Sequence, residues 1–214
     1  MKVGVIAGTP VDTKMGVDYM ISKGHEALGC FCSKNPQEQT RMQVFHSEEL
    51  AKKAVLFGQK MLLEGATSIL IYCNSMSGAI DMNYVRAQLK VKVVTPLDVY
   101  EECAASFHRL GVLAANGQSL AAIEKVINGR NPQCCVFGAG ILPVVTAIES
   151  GKPPWEIYQN LELEKLVDSL IAMDCDALIL GCTHFPYLLK EIKQHCPVPV
   201  INPSDRMIEM LEGK

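Results

Sequence analysis

The stretch "ALILGCTHFPYLLKEI", Ala177 to Ile192, decides the fold. It opens with apolar, strand-forming residues, reaches Gly181-Cys182-Thr183-His184, and continues with apolar residues at helical spacing. A strand that is apolar without alternation is covered on both faces, as in a parallel sheet flanked by helices. The stretch therefore predicts a buried strand that carries a cysteine to the beginning of a helix.

Seven other segments are short, apolar and rich in Val, Ile and Leu, and helical patterns lie between them. These segments are residues 2–7, 27–31, 68–73, 91–96, 110–115, 134–138 and 198–201. Alternation of strands and helices predicts an α/β fold with right-handed crossovers. Ser47 is a candidate N-cap for the helical pattern that begins there.

Three pairs of segments repeat along the chain at nearly one offset. "VGVIAGTP" (3–10) resembles "LGVLAANG" (110–117), "ATSILIYCNS" (66–75) resembles "CDALILGCTH" (175–184), and "VKVVTPLD" (91–98) resembles "VPVINPSD" (198–205). The offsets are 107, 109 and 107 residues, which indicates two copies of one α/β unit. We expect two pseudo-symmetric, flavodoxin-like domains with mainly parallel sheets, residues 1–97 plus 205–214 and residues 98–204. The active site is expected in the cleft between them.

Composition and charge exclude several classes of protein. The 214 residues are 49% hydrophobic and 20% charged, with a net charge of −3, which gives no indication of nucleic acid or an anionic membrane as partner. The first apolar run breaks at Gly8-Thr9-Pro10, too early for a signal peptide, and no run is long enough to span a bilayer. We therefore expect a cytoplasmic protein.

The chain contains nine cysteines without a signal peptide, so a disulfide framework is not expected. No CxxC motif occurs, and the five histidines show no metal-binding spacing, so no metal is expected. Most of these cysteines are expected to be small, buried apolar residues.

Two of the cysteines, Cys73 and Cys182, occupy equivalent positions in the repeat. Each follows a predicted strand, and open parallel sheets bind ligands at the carboxyl ends of their strands. Two thiols on opposite sides of a ligand could move a proton from one face of a carbon to the other, one as thiolate and the other as thiol. The pair therefore suggests a two-base isomerase, with nearby polar groups holding a carboxylate.

Three motifs are similar to those of a known family. "CNS" at 73–75, "ILPVVTAIESG" at 141–151 and "GCTHFP" at 181–186 resemble segments of the aspartate/glutamate racemase superfamily, which works without pyridoxal phosphate. The resemblance implies an amino-acid racemase without a cofactor, with Cys73 and Cys182 as the two acid/base residues. It also implies that His184 assists Cys182, with Glu149 behind it.

The resemblance further implies that Asn74, Ser75 and Thr183 bind substrate, although helix capping alone would also explain residues of these types. Two loops depart from the family pattern. "AGTPVDT" replaces Asp-Ser-Gly after the first strand, and "AANGQS" replaces a loop with hydroxyl side chains. Since both loops touch substrate in the family, they place four more candidates at the site, namely Thr9, Pro10, Asn116 and Gln118. The choice between glutamate and aspartate stays open.

Two other functional classes also stay open. One is another reaction of the superfamily, such as hydantoin racemisation, maleate isomerisation or decarboxylation. The other is a ligand-binding or regulatory protein without catalytic activity. The expected partner is a small-molecule amino-acid substrate, without nucleic acid or membrane, and a homodimer is left open.

Overall fold

The computed structural model describes all 214 residues, Met1 to Lys214. The chain divides into two compact units, one formed by Met1–Val99 and Ser204–Lys214 and the other by Tyr100–Pro203. The chain passes between them within helix α6 (Pro96–Cys103) and at the beginning of helix α12 (Pro203–Glu212). None of the helices combines the length and the apolar character needed to cross a membrane.

The first unit has a four-stranded parallel sheet with the strand order β2-β1-β3-β4. The strands are β1 (Lys2–Ala7), β2 (Glu26–Phe31), β3 (Ser68–Tyr72) and β4 (Lys92–Val94). Between them lie α1 (Pro10–Ser22), α2 (Pro36–Phe45), α3 (Ser47–Leu63), α4 (Asn74–Ala79) and α5 (Met82–Leu89).

The central strands β1 and β3 of this sheet are buried on both faces. Successive strand residues point to opposite faces, so Ile69 and Ile71 of β3 pack into one apolar cluster. Leu70 and Tyr72 pack into a second cluster, which also contains Met207 of α12. Burial on both faces explains why the strand sequences show no polar alternation.

Helix α12 completes the first unit although it comes from the other end of the chain. Its Asp205 accepts hydrogen bonds from the Lys23 ammonium group and the Tyr19 hydroxyl group, both at 2.6 Å. These hydrogen bonds hold the pKa of Asp205 below its usual value. The helix is thus attached to α1 by polar contacts and to the sheet by apolar ones.

The second unit repeats this architecture, with the parallel strand order β6-β5-β7-β8. The strands are β5 (Arg109–Ala114), β6 (Cys135–Gly140), β7 (Ala177–Gly181) and β8 (Val200–Ile201). The helices are α7 (Gly117–Arg130), α8 (Leu142–Glu149), α9 (Pro154–Asn160), α10 (Leu163–Ala172) and α11 (Leu189–His195), with 3₁₀ turns at Ala104–Ser106 and Phe185–Leu188.

All eight predicted strands are present, and each end lies within two residues of the prediction. Two local predictions were wrong. Ser47 does not cap α3, because the cap position is His46, whose side chain makes no capping hydrogen bond. The α-helix expected directly after Cys182 begins only at Leu189, because a 3₁₀ turn starting at Phe185 with Pro186 comes first.

Asp176 joins two segments of the second unit. Its carboxylate accepts hydrogen bonds from the backbone N–H groups of His108 at 2.6 Å and Arg109 at 3.2 Å. Its own N–H donates to the Arg109 carbonyl oxygen at 2.8 Å. Burial by itself raises the pKa of Asp176, but the N–H donors outweigh it and the pKa lies below its usual value.

We expect Asp176→Ala to lower the free energy of unfolding by about 1–3 kcal/mol, because two N–H groups lose a charged acceptor. A lowered carboxyl pKa stabilises the fold above the pKa of the unfolded chain, and this contribution disappears as the pH falls through the folded-state pKa. The difference between wild type and variant should therefore shrink in acid. Urea unfolding over a pH series measures this difference in the free energy of unfolding, with the exposed Asp168→Ala as control. A difference that stays constant in acid would contradict this role.

Candidate active site

The loop after β1 is organised by the first turn of α1. Thr9 is the N-cap, and its side chain accepts a hydrogen bond from the Asp12 N–H at 3.3 Å. The buried Asp12 carboxylate accepts one from the Gly8 N–H at 3.4 Å. Pro10 begins the helix and is exposed, as suits a residue without an N–H group.

Cys73 follows β3 and is the N-cap residue of α4, with a side chain only 6% exposed. Its carbonyl oxygen accepts hydrogen bonds from the Ser77 hydroxyl at 2.7 Å and the Ser77 N–H at 3.1 Å, which fix the backbone at this point. Its Sγ lies 3.5 Å from Oγ of Ser75. The neighbouring Asn74 is also buried.

Helix α2 covers this cysteine with two buried glutamines. Gln43 donates from Nε2 to Ser75 Oγ at 2.7 Å. Gln39 accepts at Oε1 from the Ser33 hydroxyl at 2.7 Å, and its buried Nε2 has no hydrogen-bond partner. A methyl group at Gly8 would lie 3.2 Å from Gln39 Cδ and 3.4 Å from the Cys73 Sγ, so the Gln39 side chain and the thiol border the same small space.

Cys182 follows β7 in the second unit and is 4% exposed. Its Sγ lies 3.5 Å from Nδ1 of His184, and Nε2 of His184 lies 2.9 Å from Oε1 of Glu149 at the end of α8. With its Nε2–H donating to the carboxylate, His184 can accept the thiol proton at Nδ1. The three side chains therefore form a path along which Cys182 can lose its proton.

The loop after β5 resembles the loop after β1, because each ends in a residue whose side chain caps the following helix. Asn116 is the N-cap of α7 and accepts from the Ser119 N–H at 2.9 Å. The Ser119 hydroxyl donates to the Gly181 carbonyl oxygen at 3.2 Å, which attaches this helix to the end of β7. A side chain at Gly140 would collide with the Asn116 and Gly117 backbone, 2.5 Å and 2.7 Å away, so a glycine is required there.

A family model for Asp/Glu/Hydantoin racemase matches residues 17–211. The chain belongs to the Asp/Glu/Hydantoin racemase family. The glutamate racemase of Limosilactobacillus reuteri is 28% identical over 180 residues, which are 78% of this chain and 65% of that protein. The chain therefore matches less than two thirds of this relative's length.

Solved structures related to this racemase family share the fold of the chain. Glutamate racemase from Francisella tularensis, crystallised with D-glutamate, superposes with a TM-score of 0.74 at 20% identity, covering 99% of this chain and 80% of that one. An aspartate racemase homologue from Pyrococcus horikoshii gives a TM-score of 0.71 at 16% identity, covering 99% and 97%. The two-unit architecture of parallel sheets is therefore that of the racemases.

Within this racemase-family chain, the predicted site residues occupy several kinds of position. Cys182, His184 and Glu149 form one chain of contacts, and Cys73 contacts Ser75. Asn74 and Thr183 are buried beside the cysteines in sequence, whereas Thr9 and Asn116 cap helices. Pro10 and Gln118 are exposed. No group of three or more His, Cys, Asp or Glu side chains is arranged to hold a metal ion.

Sequence reasoning missed several buried polar residues of the first unit, among them Gln39 and Gln43. The two glutamines are four residues apart in α2, so they share one face of that helix. This spacing could have shown that they lie together. Because α2 is polar along most of its length, the spacing could not have shown that this face is buried.

Most of the other cysteines are unsuited to proton transfer. Burial raises the pKa of Cys32 to about 12 and that of Cys103 to about 11. Burial also raises the pKa of four more thiols, those of Cys30, Cys134, Cys175 and Cys196. A raised pKa keeps these groups as thiols near neutral pH.

We expect iodoacetamide at neutral pH to label the exposed Cys135 and to leave Cys32 unmodified. The thiolate is the reactive form, and the Cys32 thiol is both buried and of high pKa. Peptide mapping by mass spectrometry measures both sites, and urea-unfolded protein, in which every thiol reacts, is the control. Equal labelling of Cys32 and Cys135 in the folded protein would contradict the buried environment of Cys32.

Proposed function

We propose that the protein is a cofactor-independent racemase of an acidic amino acid, aspartate or glutamate, with Cys73 and Cys182 as its two bases. One observation carries the proposal. In each unit a buried cysteine follows the third strand of the sheet, and the residue two positions later places a polar atom 3.5 Å from the sulfur. Family membership and the glutamate racemase relatives support the reaction class.

The proposed reaction moves two protons, one from Cα to one sulfur and one from the other sulfur to Cα. The thiolate of one cysteine takes the proton from Cα, and the electron pair of the broken C–H bond passes into the α-carboxylate as an enediolate. The thiol of the other cysteine then gives its proton to the opposite face of Cα, and its sulfur becomes the thiolate. The enzyme is thus left ready for the opposite enantiomer.

His184 and Glu149 act on the Cys182 side of this reaction. His184 takes the thiol proton at Nδ1, and Glu149, 2.9 Å from Nε2, stabilises the imidazolium that results. Burial strengthens both effects, because the His184 side chain is 5% exposed and that of Glu149 12% exposed. His184 and Glu149 thus provide a place for the Cys182 proton when Cys182 acts as the base.

Polar groups near the strand ends hold the substrate in this proposal. Asn74, Ser75 and Thr183 adjoin the cysteines in sequence, and Thr9 and Asn116 stand at the beginnings of α1 and α7. Their N–H groups and side chains suit the substrate carboxylates and amine. Pro10 and Gln118, both exposed, stay predictions, as do a cytoplasmic location and a homodimer.

An amino-acid panel in D₂O tests the reaction and its two bases. We expect the wild type to racemise aspartate or glutamate with incorporation of deuterium at Cα, because each thiol exchanges its proton with solvent. Cys73→Ser and Cys182→Ser should each lower kcat at least about 1,000-fold, since removal of a residue that acts in concert with another abolishes turnover. Chiral chromatography and mass spectrometry measure both quantities.

The exposed Cys135→Ser is the control and should keep wild-type activity. Racemisation at the wild-type rate by either active-site variant would show that the two-base proposal is wrong. Specific binding of the substrates without any exchange at Cα would favour the ligand-binding alternative.

Glu149→Gln tests the support of Cys182 by His184. We expect kcat to fall about 10-fold to 100-fold with little change in KM, because the imidazolium loses its charged partner while substrate contacts are kept. Steady-state kinetics in both directions measure this, with the exposed Glu124→Gln in the same unit as control. A rise in KM at constant kcat would instead assign Glu149 to substrate binding.

A further inference from the structure

In each unit a pair of polar side chains supports the cysteine, and the two pairs occupy equivalent positions. Ser75 and His184 are each two residues past a cysteine and 3.5 Å from its sulfur. Each has a second polar partner, the buried Gln43 for Ser75 at 2.7 Å and the partly buried Glu149 for His184 at 2.9 Å. Ser75 and His184 therefore occupy equivalent positions in the two units.

The residues behind them also come from equivalent elements. Gln43 belongs to α2, which follows β2, and Glu149 belongs to α8, which follows β6. Strands β2 and β6 are the edge strands that pair in parallel with β1 and β5. Gln43 is thus the topological counterpart of Glu149.

The chemistry of the two pairs differs. An amide NH₂ group can only donate, so the Ser75 oxygen accepts from Gln43 and its hydroxyl hydrogen is directed elsewhere. The Cys73 sulfur, 3.5 Å away, is positioned to receive that hydrogen. In the second unit the carboxylate only accepts, so the hydrogen bonds run in the opposite direction, from Cys182 through His184 to Glu149.

We propose that Gln43 is a positioning residue for the first half of the site, where it orients the Ser75 hydroxyl to donate to the Cys73 thiolate. This inference rests on the proposed function. It makes the two halves of the site unequal, because His184 can take the proton of Cys182 whereas the Ser75–Gln43 pair can stabilise the Cys73 thiolate but take no proton.

The burial of Gln43 supports a specific role. Its side chain is only 5% exposed, whereas Gln37 and Arg41 of the same helix are exposed. Burying an amide is unfavourable unless its hydrogen bonds are made, and an apolar residue would fill a purely structural position without that requirement.

Two substitutions that nearly preserve the shape of Gln43 test the direction of its hydrogen bond. Gln43→Met removes the donor, and Gln43→Glu replaces it with an acceptor that draws the Ser75 hydrogen away from Cys73. We expect kcat/KM to fall about 10-fold in Gln43→Met and about 100-fold in Gln43→Glu. The exposed Gln37 of the same helix provides the matched controls, Gln37→Met and Gln37→Glu, with unchanged kinetics.

Primary isotope effects distinguish positioning from a general loss of structure. The equilibrium constant of racemisation is one, so kcat/KM must fall equally in both directions. The effect of Cα deuteration on kcat/KM should nevertheless rise for the enantiomer that Cys73 deprotonates, because that step becomes slower relative to the others. The isotope effect should fall for the other enantiomer, because its deprotonation by Cys182 is then followed by a slower proton transfer from Cys73. Glu149→Gln should give the reverse pattern.

Ser75→Ala completes the test. In that background the hydroxyl is absent, so Gln43→Met should cause no further loss, whereas independent roles would give additive losses. Unchanged kinetics of Gln43→Met and Gln43→Glu, or equal changes in both isotope effects, would overturn the inference while leaving the proposed function intact. Absence of Cα exchange in the wild type would instead overturn the proposed function.

Discussion

Parallel pairing of the central strands is the constraint on which the site depends. In each unit the first strand pairs in the same direction with the third, so the loops that follow them emerge at one edge of the sheet. Cys73 and Cys182 follow these third strands and therefore lie near the helix-capping loops of their own units. Buried apolar strands hold this edge rigidly, and polar residues supply the chemistry there.

The two units carry a cysteine in equivalent places, but the polar residues that support these cysteines differ. In one unit the supporting pair contains an imidazole and a carboxylate, and in the other it contains a hydroxyl and an amide. A racemase acts on two mirror-image substrates, but its own amino acids are all of one hand. In the proposed reaction, the two faces of the substrate therefore lie in different protein environments, and unequal supporting groups suit them.

Much of the fold could be predicted because its signals are local. Apolar runs without alternation mark strands buried on both faces, and segments repeated at one offset revealed the duplication. Helix boundaries were less predictable, because Ser47 is a common N-cap type that does not cap α3. The 3₁₀ turn at Phe185–Leu188 interrupts a pattern that is helical by spacing alone.

The site was predictable only in part. The cysteines stand in recognisable motifs, but Glu149 lies 35 residues before His184 and only the family resemblance linked them. Gln43 lies 32 residues before Ser75, and no motif marks that pair. Contacts of this kind are fixed by how α2 and α8 pack on their sheets, which the order of residues along a polar helix does not reveal.

The first unit is assembled from both ends of the chain, and this has a consequence for biosynthesis. Its β-strands precede the second unit in the chain, whereas Asp205 and the apolar residues of α12 that cover one face of its sheet follow the second unit. During translation the second unit, a continuous segment, can fold while the first still exposes that apolar face to the ribosome and to chaperones. The half of the protein that is synthesised first is therefore the half that matures last.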